Sequence, residues 1–199
     1  MKDEYILDTP AVRSFIAAVR AELAAHPVHE ALERLRPTFA ELLADQSWLP
    51  AEYRSPVENS GMGGGIATWL LFRAGDGGLS LFSLVVPPGA ATPIHDHLAW
   101  GLVGLYAGEQ DEEVYRASPS GGALQVVERN RLRPGDFYLL MPPDGDIHRV
   151  ATTSAEPSVS IHLLGNDTGC VWRHTYTPED GAAHPFRSGW SNAACQSAG

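Results

Sequence analysis

Cysteine is scarce in this chain. Cys170 and Cys195 are the only two in 199 residues. Two thiols cannot frame a disulfide scaffold, and read as free thiols they fit a reducing cytoplasm. Long apolar runs are missing too: nothing approaches the roughly 20 residues of a membrane-spanning helix. The opening MKDEYILDTP is charged and proline-broken, so no signal peptide is expected there. Positive charge is in short supply, with 14 Lys and Arg against 24 Asp and Glu. The formal net charge of −10 argues against nucleic acid or an anionic membrane as partner. There is no internal repeat and no G-x-S-x-G elbow for a serine nucleophile. The glycine-rich stretch Asn59–Gly65 lacks the spacing of a phosphate loop.

With 44% hydrophobic and 19% charged residues, the chain has the composition of one globular domain with a sizeable core. Residues 9–26 read as an amphipathic helix that Asp8 or Thr9 can cap, with Val12, Phe15, Ile16, Val19 and Leu23 at helical spacing. A second helix is expected over residues 28–44, kinked or split at Pro37. From Ser55 onward the texture changes to short β-type runs between turn signals. They cover residues 66–73, 79–86, 100–106, 113–116, 124–128, 137–141, 147–151, 158–164 and 171–176, with turns at 75–78, 118–122 and 133–136. Many short strands with regular turns predict a mainly β sandwich or barrel. We expect a helical arm, residues 1–60, packed on a barrel with a C-terminal tail, residues 61–199.

Chemistry concentrates in two blocks. In GAATPIHDHLAWGLVGLYAG, His95 and His97 stand one residue apart, so on a strand both imidazoles would share a face. Forty residues on, Met141-Pro-Pro-Asp-Gly-Asp-Ile-His148 supplies a third histidine. Three converging neutral imidazoles make a metal site. On the late run 158–164, Ser160 and His162 alternate with Val159 and Ile161. Taken alone they fit an ordinary hydrogen-bonded strand histidine. Arg173, between Trp172 and His174, fits an ordinary rim arginine. Near a cationic metal, however, a planar guanidinium is suited to grip a carboxylate.

The spacings Gly89-x5-His95-x-His97-x3-Gly101-x6-Gly108 and Pro143-x-Gly145-x2-His148 resemble the two motifs of the cupins. That resemblance implies a double-stranded β-helix (jelly-roll) barrel. Gly101 stands where cupins usually carry a ligating glutamate, and Thr152 replaces the closing asparagine. Three neutral ligands leave a divalent ion its full charge and open positions on one face. Such a centre suits an anionic chelating substrate together with dioxygen, as at non-haem iron.

Taken with Ser160-x-His162, Arg173 and the late Phe186-Arg-Ser-Gly-Trp-Ser-Asn192, these residues resemble the cysteine dioxygenase family of cupins, the bacterial mercaptopropionate dioxygenase branch in particular. The resemblance implies a mononuclear Fe(II) enzyme that inserts both atoms of O2 into a small thiol-carboxylate to give a sulfinate. It implies His95, His97 and His148 as iron ligands, Ser160 and His162 as outer-sphere groups, and Arg173 as the carboxylate-binding residue. No arginine stands near Trp69, where cysteine dioxygenase proper would hold its substrate; Arg73 is out of register.

The family's Ser-x-His-x-Tyr places its tyrosine at Leu164. Leu164 is expected to face the substrate pocket, leaving it roomier and His162 without its phenol partner. The competing readings are another three-histidine cupin oxygenase, such as one cleaving a carbon–carbon bond, and a non-catalytic metal- or ligand-binding cupin. The sequence does not fix the oligomeric state.

Overall fold

Two helices form where the apolar spacing asks for them. The first, α1 (Pro10–Ala25), is capped by the Thr9 hydroxyl, which accepts from the Val12 N–H. Pro10 occupies the first turn, where its missing N–H costs nothing. The second, α2 (Val28–Ala44), buries Leu32, Leu35, Phe39, Leu42 and Leu43. The helix is not split at Pro37, which it carries in its interior. Pro37 and Glu33 lie on the exposed side of α2, so the Glu33 carbonyl that loses its partner can turn to water.

The computed structural model describes residues 2–118 and 121–195, so the expected turn at 118–122 falls partly outside the described residues. Among the described residues there are eleven strands, in chain order β1 (Glu4–Tyr5), β2 (Ala67–Arg73), β3 (Ser80–Val86), β4 (Gly101–Ala107), β5 (Gln110–Arg116), β6 (Gln125–Leu132), β7 (Phe137–Leu140), β8 (His148–Thr152), β9 (Ser158–Leu164), β10 (Arg173–Tyr176) and β11 (Ala183–Phe186). They pair antiparallel in the orders β1-β2-β3-β9-β4-β7, β6-β5-β8 and β10-β11. This is a cupin barrel. Strand β5 starts at Gln110 rather than the expected 113, which matters below because it brings in Glu112.

Strand β9 explains how one sheet serves two cores. Val159, Ile161 and Leu163 pack with the helices, beside Phe15, Phe39 and Leu43. The alternate side chains Ser160, His162 and Leu164 belong to the other face, where Leu164 clusters with Phe82, Leu84 and Val103. Every residue of β3 and β9 is buried, because the helices cover one face and the barrel interior the other.

Two expectations are corrected here. The His95–His97 run is not a regular strand. His95 forms isolated bridges to His148 and Thr175, and β4 begins only at Gly101. The cysteines are not free thiols either: Cys170 and Cys195 form a disulfide, with Cα atoms 5.4 Å apart. The reading of a reducing compartment loses its premise.

The bond closes because residues 188–195 run back across the barrel as a strap. Thr68 N–H donates to Ser191 Oγ (2.9 Å), and Ser191 N–H to the Thr68 carbonyl (2.8 Å). Asn192 accepts from Leu70 N–H (2.9 Å) and donates to the Leu70 carbonyl (3.0 Å). Gly189 N–H donates to the Gly169 carbonyl (2.8 Å), which brings the strap beside the loop that carries Cys170. Among the described residues no helix is long and apolar enough to cross a membrane.

Candidate metal centre

Backbone pairing brings the three histidines together. His95 and His148 exchange N–H···O=C bonds of 2.9 Å in both directions, as directly opposed antiparallel residues do. His97 follows after one residue. The ring centroids of His95, His97 and His148 lie 4.8–5.0 Å apart, and one ligand atom from each falls within 4.8 Å of the others. All three are buried.

Each imidazole is held by its Nδ1. That of His95 faces the Pro93 carbonyl at 2.9 Å, that of His97 faces Asp146 Oδ1 at 3.3 Å, and that of His148 faces Glu112 Oε1 at 2.8 Å. Each partner is an acceptor, so the hydrogen sits on Nδ1 and the Nε2 lone pair is left for a metal. Burial, reinforced by the neighbouring His148 and Arg173, holds His95 and His97 well below the usual imidazole pKa. Both are therefore neutral, as ligands must be. The donor set fits a divalent transition metal with positions left open.

The residues behind the ligands were not foreseen. Glu112 is buried and accepts from Tyr138 Oη (2.7 Å) and Asn130 Nδ2 (3.2 Å) as well as from His148. Burial alone would raise its pKa, but the His148, Tyr138 and Asn130 hydrogen bonds prevail and lower it. Asp146 accepts from the backbone N–H groups of His97 (2.8 Å) and Leu98 (3.0 Å), fixing the turn after the His-x-His pair. Burial nonetheless raises its pKa. Asp96, between the two histidines, accepts from His174 N–H (2.7 Å), His174 Nδ1 (2.8 Å) and Tyr176 Oη (2.8 Å). It ties the histidine loop to β10. One signal was available: Asp96 and Asp146 lie inside the two motif blocks.

Strand β10 carries Arg173, which is 3% exposed. Its NH1 donates to the Asp96 carbonyl (2.7 Å), its NH2 to Ser188 Oγ (3.3 Å), and the guanidinium lies 4.7 Å over the Phe186 ring. Its Nε has no partner among the described residues. Burial pushes its pKa down to about 10, against the pull of Asp96 and Asp146.

Arg173 lines a narrow cleft together with His95, His97, His162, Phe82 and Trp190. Ser160 lies behind His162, its Oγ 2.8 Å from Nε2. Leu164 is fully buried in the inner-face cluster and is not among the residues that line the cleft. The extra room expected beside it is absent. A Cβ on Gly101 would collide with the Leu163 carbonyl oxygen and with Leu164 Cδ2, so leucine and strand backbone fill that space together. Arg73 is engaged elsewhere, by Glu4 and the Ala194 carbonyl.

Solved structures with similar folds include an uncharacterized conserved protein with a double-stranded β-helix domain from Klebsiella pneumoniae. It is 12% identical, with a TM-score of 0.45 over 72% of this chain and 98% of that one. Peruvianin-I from Thevetia peruviana latex is 18% identical, with a TM-score of 0.44 over 71% and 83%. A Lactobacillus farciminis oxalate decarboxylase is 16% identical, with a TM-score of 0.37 over 45% of this chain; the match spans only 24% of that protein. The family comparison is more specific. The cysteine dioxygenase type I family matches residues 58–169, more than half of the chain and a span that includes all three clustered histidines. This chain belongs to the cysteine dioxygenase type I family.

Proposed function

We propose that the protein is an Fe(II)-dependent thiol dioxygenase that oxidises a small mercapto-carboxylic acid to its sulfinate: RSH and O2 combine to RSO2H, both oxygen atoms going to sulfur. The observation that carries this reading is a buried, conformationally fixed arginine in the same cleft as His95 and His97, two neutral members of the three-histidine cluster.

His95, His97 and His148 would hold the metal through Nε2. When bound, iron supplies the redox chemistry that lets sulfur and dioxygen react. The remaining work falls to the protein. Three neutral ligands leave the charge of the ion to be balanced from outside, which favours an anionic substrate. Arg173 is pinned by Asp96 and Ser188, so its guanidinium meets a carboxylate without first losing side-chain freedom. Trp190, whose Nε1 donates to Asp167 (2.9 Å), helps close the cleft and shield it from water.

The test is oxygen consumption by the iron-loaded protein with 3-mercaptopropionate and with ethanethiol, which lacks the carboxylate. The mercapto-acid should be oxidised far faster. In Arg173→Ala, its kcat/KM should fall about 10- to 100-fold, the value of a charged hydrogen bond. Turnover of neither thiol would refute the reading, and an equal loss for both would remove Arg173 from it.

A further inference from the structure

Resting on the thiol dioxygenase reading, we propose that His162 is a specificity residue that touches the substrate itself. It presents a neutral N–H donor to the cleft and selects a mercapto-acid with a second, uncharged oxygen acceptor, a hydroxyl or carbonyl, beyond the carboxylate held by Arg173.

The argument starts from Ser160. Among the described residues its buried hydroxyl has one partner, His162 Nε2 at 2.8 Å. A buried hydroxyl must give its hydrogen to an acceptor, and Nε2 is the one available. Nε2 therefore accepts, and the hydrogen of the neutral ring sits on Nδ1. Burial supports the neutral form, holding the His162 pKa down at about 3.

That Nδ1–H is buried and has no partner among the described residues. The nearest candidate position on its own strand face, Leu164, is apolar and packed away in the inner-face cluster. The ring cannot easily turn elsewhere, because it is stacked on Phe82 with centroids 4.7 Å apart and planes 20° from parallel. His162 and Phe82 both line the cleft that holds Arg173.

Two residues that line the cleft thus carry buried nitrogens without a partner among the described residues, Nδ1 of His162 on β9 and Nε of Arg173 on β10. Only one of them is charged. A second carboxylate on the ligand would be buried against a neutral N–H, which does not offset the cost of desolvating it. A hydroxyl or carbonyl carries no such cost and satisfies the donor. A plain mercapto-acid leaves it orphaned.

The experiment compares 3-mercaptopropionate with 3-mercaptolactate, its 2-hydroxy derivative. Binding to the iron-loaded protein is measured by calorimetry without oxygen, and oxygen uptake is then recorded on the same samples. The hydroxy acid should bind about tenfold more tightly, the value of one neutral hydrogen bond to a buried donor. His162→Phe preserves the stacking on Phe82 and removes the donor, so the two acids should bind equally. His162→Asn keeps an N–H near the same place and should retain part of the preference. Equal binding to the unaltered protein, a preference that survives in His162→Phe, or binding of neither acid overturns the proposal. Preferential binding of the hydroxy acid with no oxygen uptake from either would instead uphold His162 as a recognition group and refute the thiol dioxygenase reading.

Discussion

Glu112 does not line the cleft that holds Arg173, yet its removal should be felt at the metal. Its Oε1 receives His148 Nδ1–H at 2.8 Å and Tyr138 Oη at 2.7 Å, while Oε2 receives Asn130 at 3.2 Å. Glu112→Ala therefore strands two donors in a buried region. An unpaired buried donor costs about 1–3 kcal/mol, so the metal-free protein should lose about 2–6 kcal/mol of stability. For a chain of this size that corresponds to a melting temperature lower by roughly 5–15 °C. The His148 ring also becomes free to rotate about its side-chain torsions, because the acceptor that holds Nδ1 is gone. Loss of such an outer contact typically lowers metal affinity about 10- to 100-fold. Glu112→Gln keeps an acceptor but not the charge, and should fall between the two. The assay is Fe(II) titration against a competing chelator without oxygen, paired with thermal melts of the metal-free proteins. If Glu112→Ala binds iron within about twofold of the unaltered protein, the reasoning that Nδ1 anchoring prepares Nε2 is wrong.

Gly101→Ala should cost about 3 kcal/mol or more, since the new methyl meets the Leu163 carbonyl of a paired strand; a melting temperature within about 2 °C of the parent would contradict this. Adding Leu164→Ala should recover only part of the loss, because the carbonyl stays where it is. Thiol titration of the native protein should find no free thiol, and reduction by a phosphine should lower stability by about 3 kcal/mol; two titrating thiols would dismiss the disulfide. His162 is buried and neutral with a pKa of about 3, whereas the unfolded chain takes up a proton near 6.5, so acid favours unfolding between those values. Stability should fall by up to about 1.4 kcal/mol per pH unit on this account as pH drops below 6.5, less steeply in His162→Phe, and identical pH profiles would refute it.

Most of the barrel was legible because its strands announce themselves twice. β9 alternates helix-facing and interior residues, and it is bounded by turn-forming residues. The histidines were legible by spacing, although the reason differed: a loop and an antiparallel bridge align them, not the period of a strand. Glu112 was hidden because three consecutive acids, Asp111, Glu112 and Glu113, differ only in register. The pairing of β5 with β6 and β8 decides which one turns inward. Asp111 and Glu113 instead meet Arg131 and Arg129 at the surface. The disulfide was hidden for a related reason. Its closure depends on side chains 122 or 123 residues away that catch the strap on β2, and no local pattern encodes that.

The same distance bears on the order in which the molecule assembles. Thr68 and Leu70 wait for Ser191 and Asn192, among the most widely separated contacts in the chain, while the helices and hairpins need only near neighbours. Loop closure over such a span is slow and unrewarded until the barrel exists to receive it. A barrel can therefore form with all three histidines in place while Ser188 and Trp190 are still absent from the cleft. On this order the wall that supports Arg173 would be the last part to arrive, and the ability to bind metal would precede the ability to choose what binds beside it.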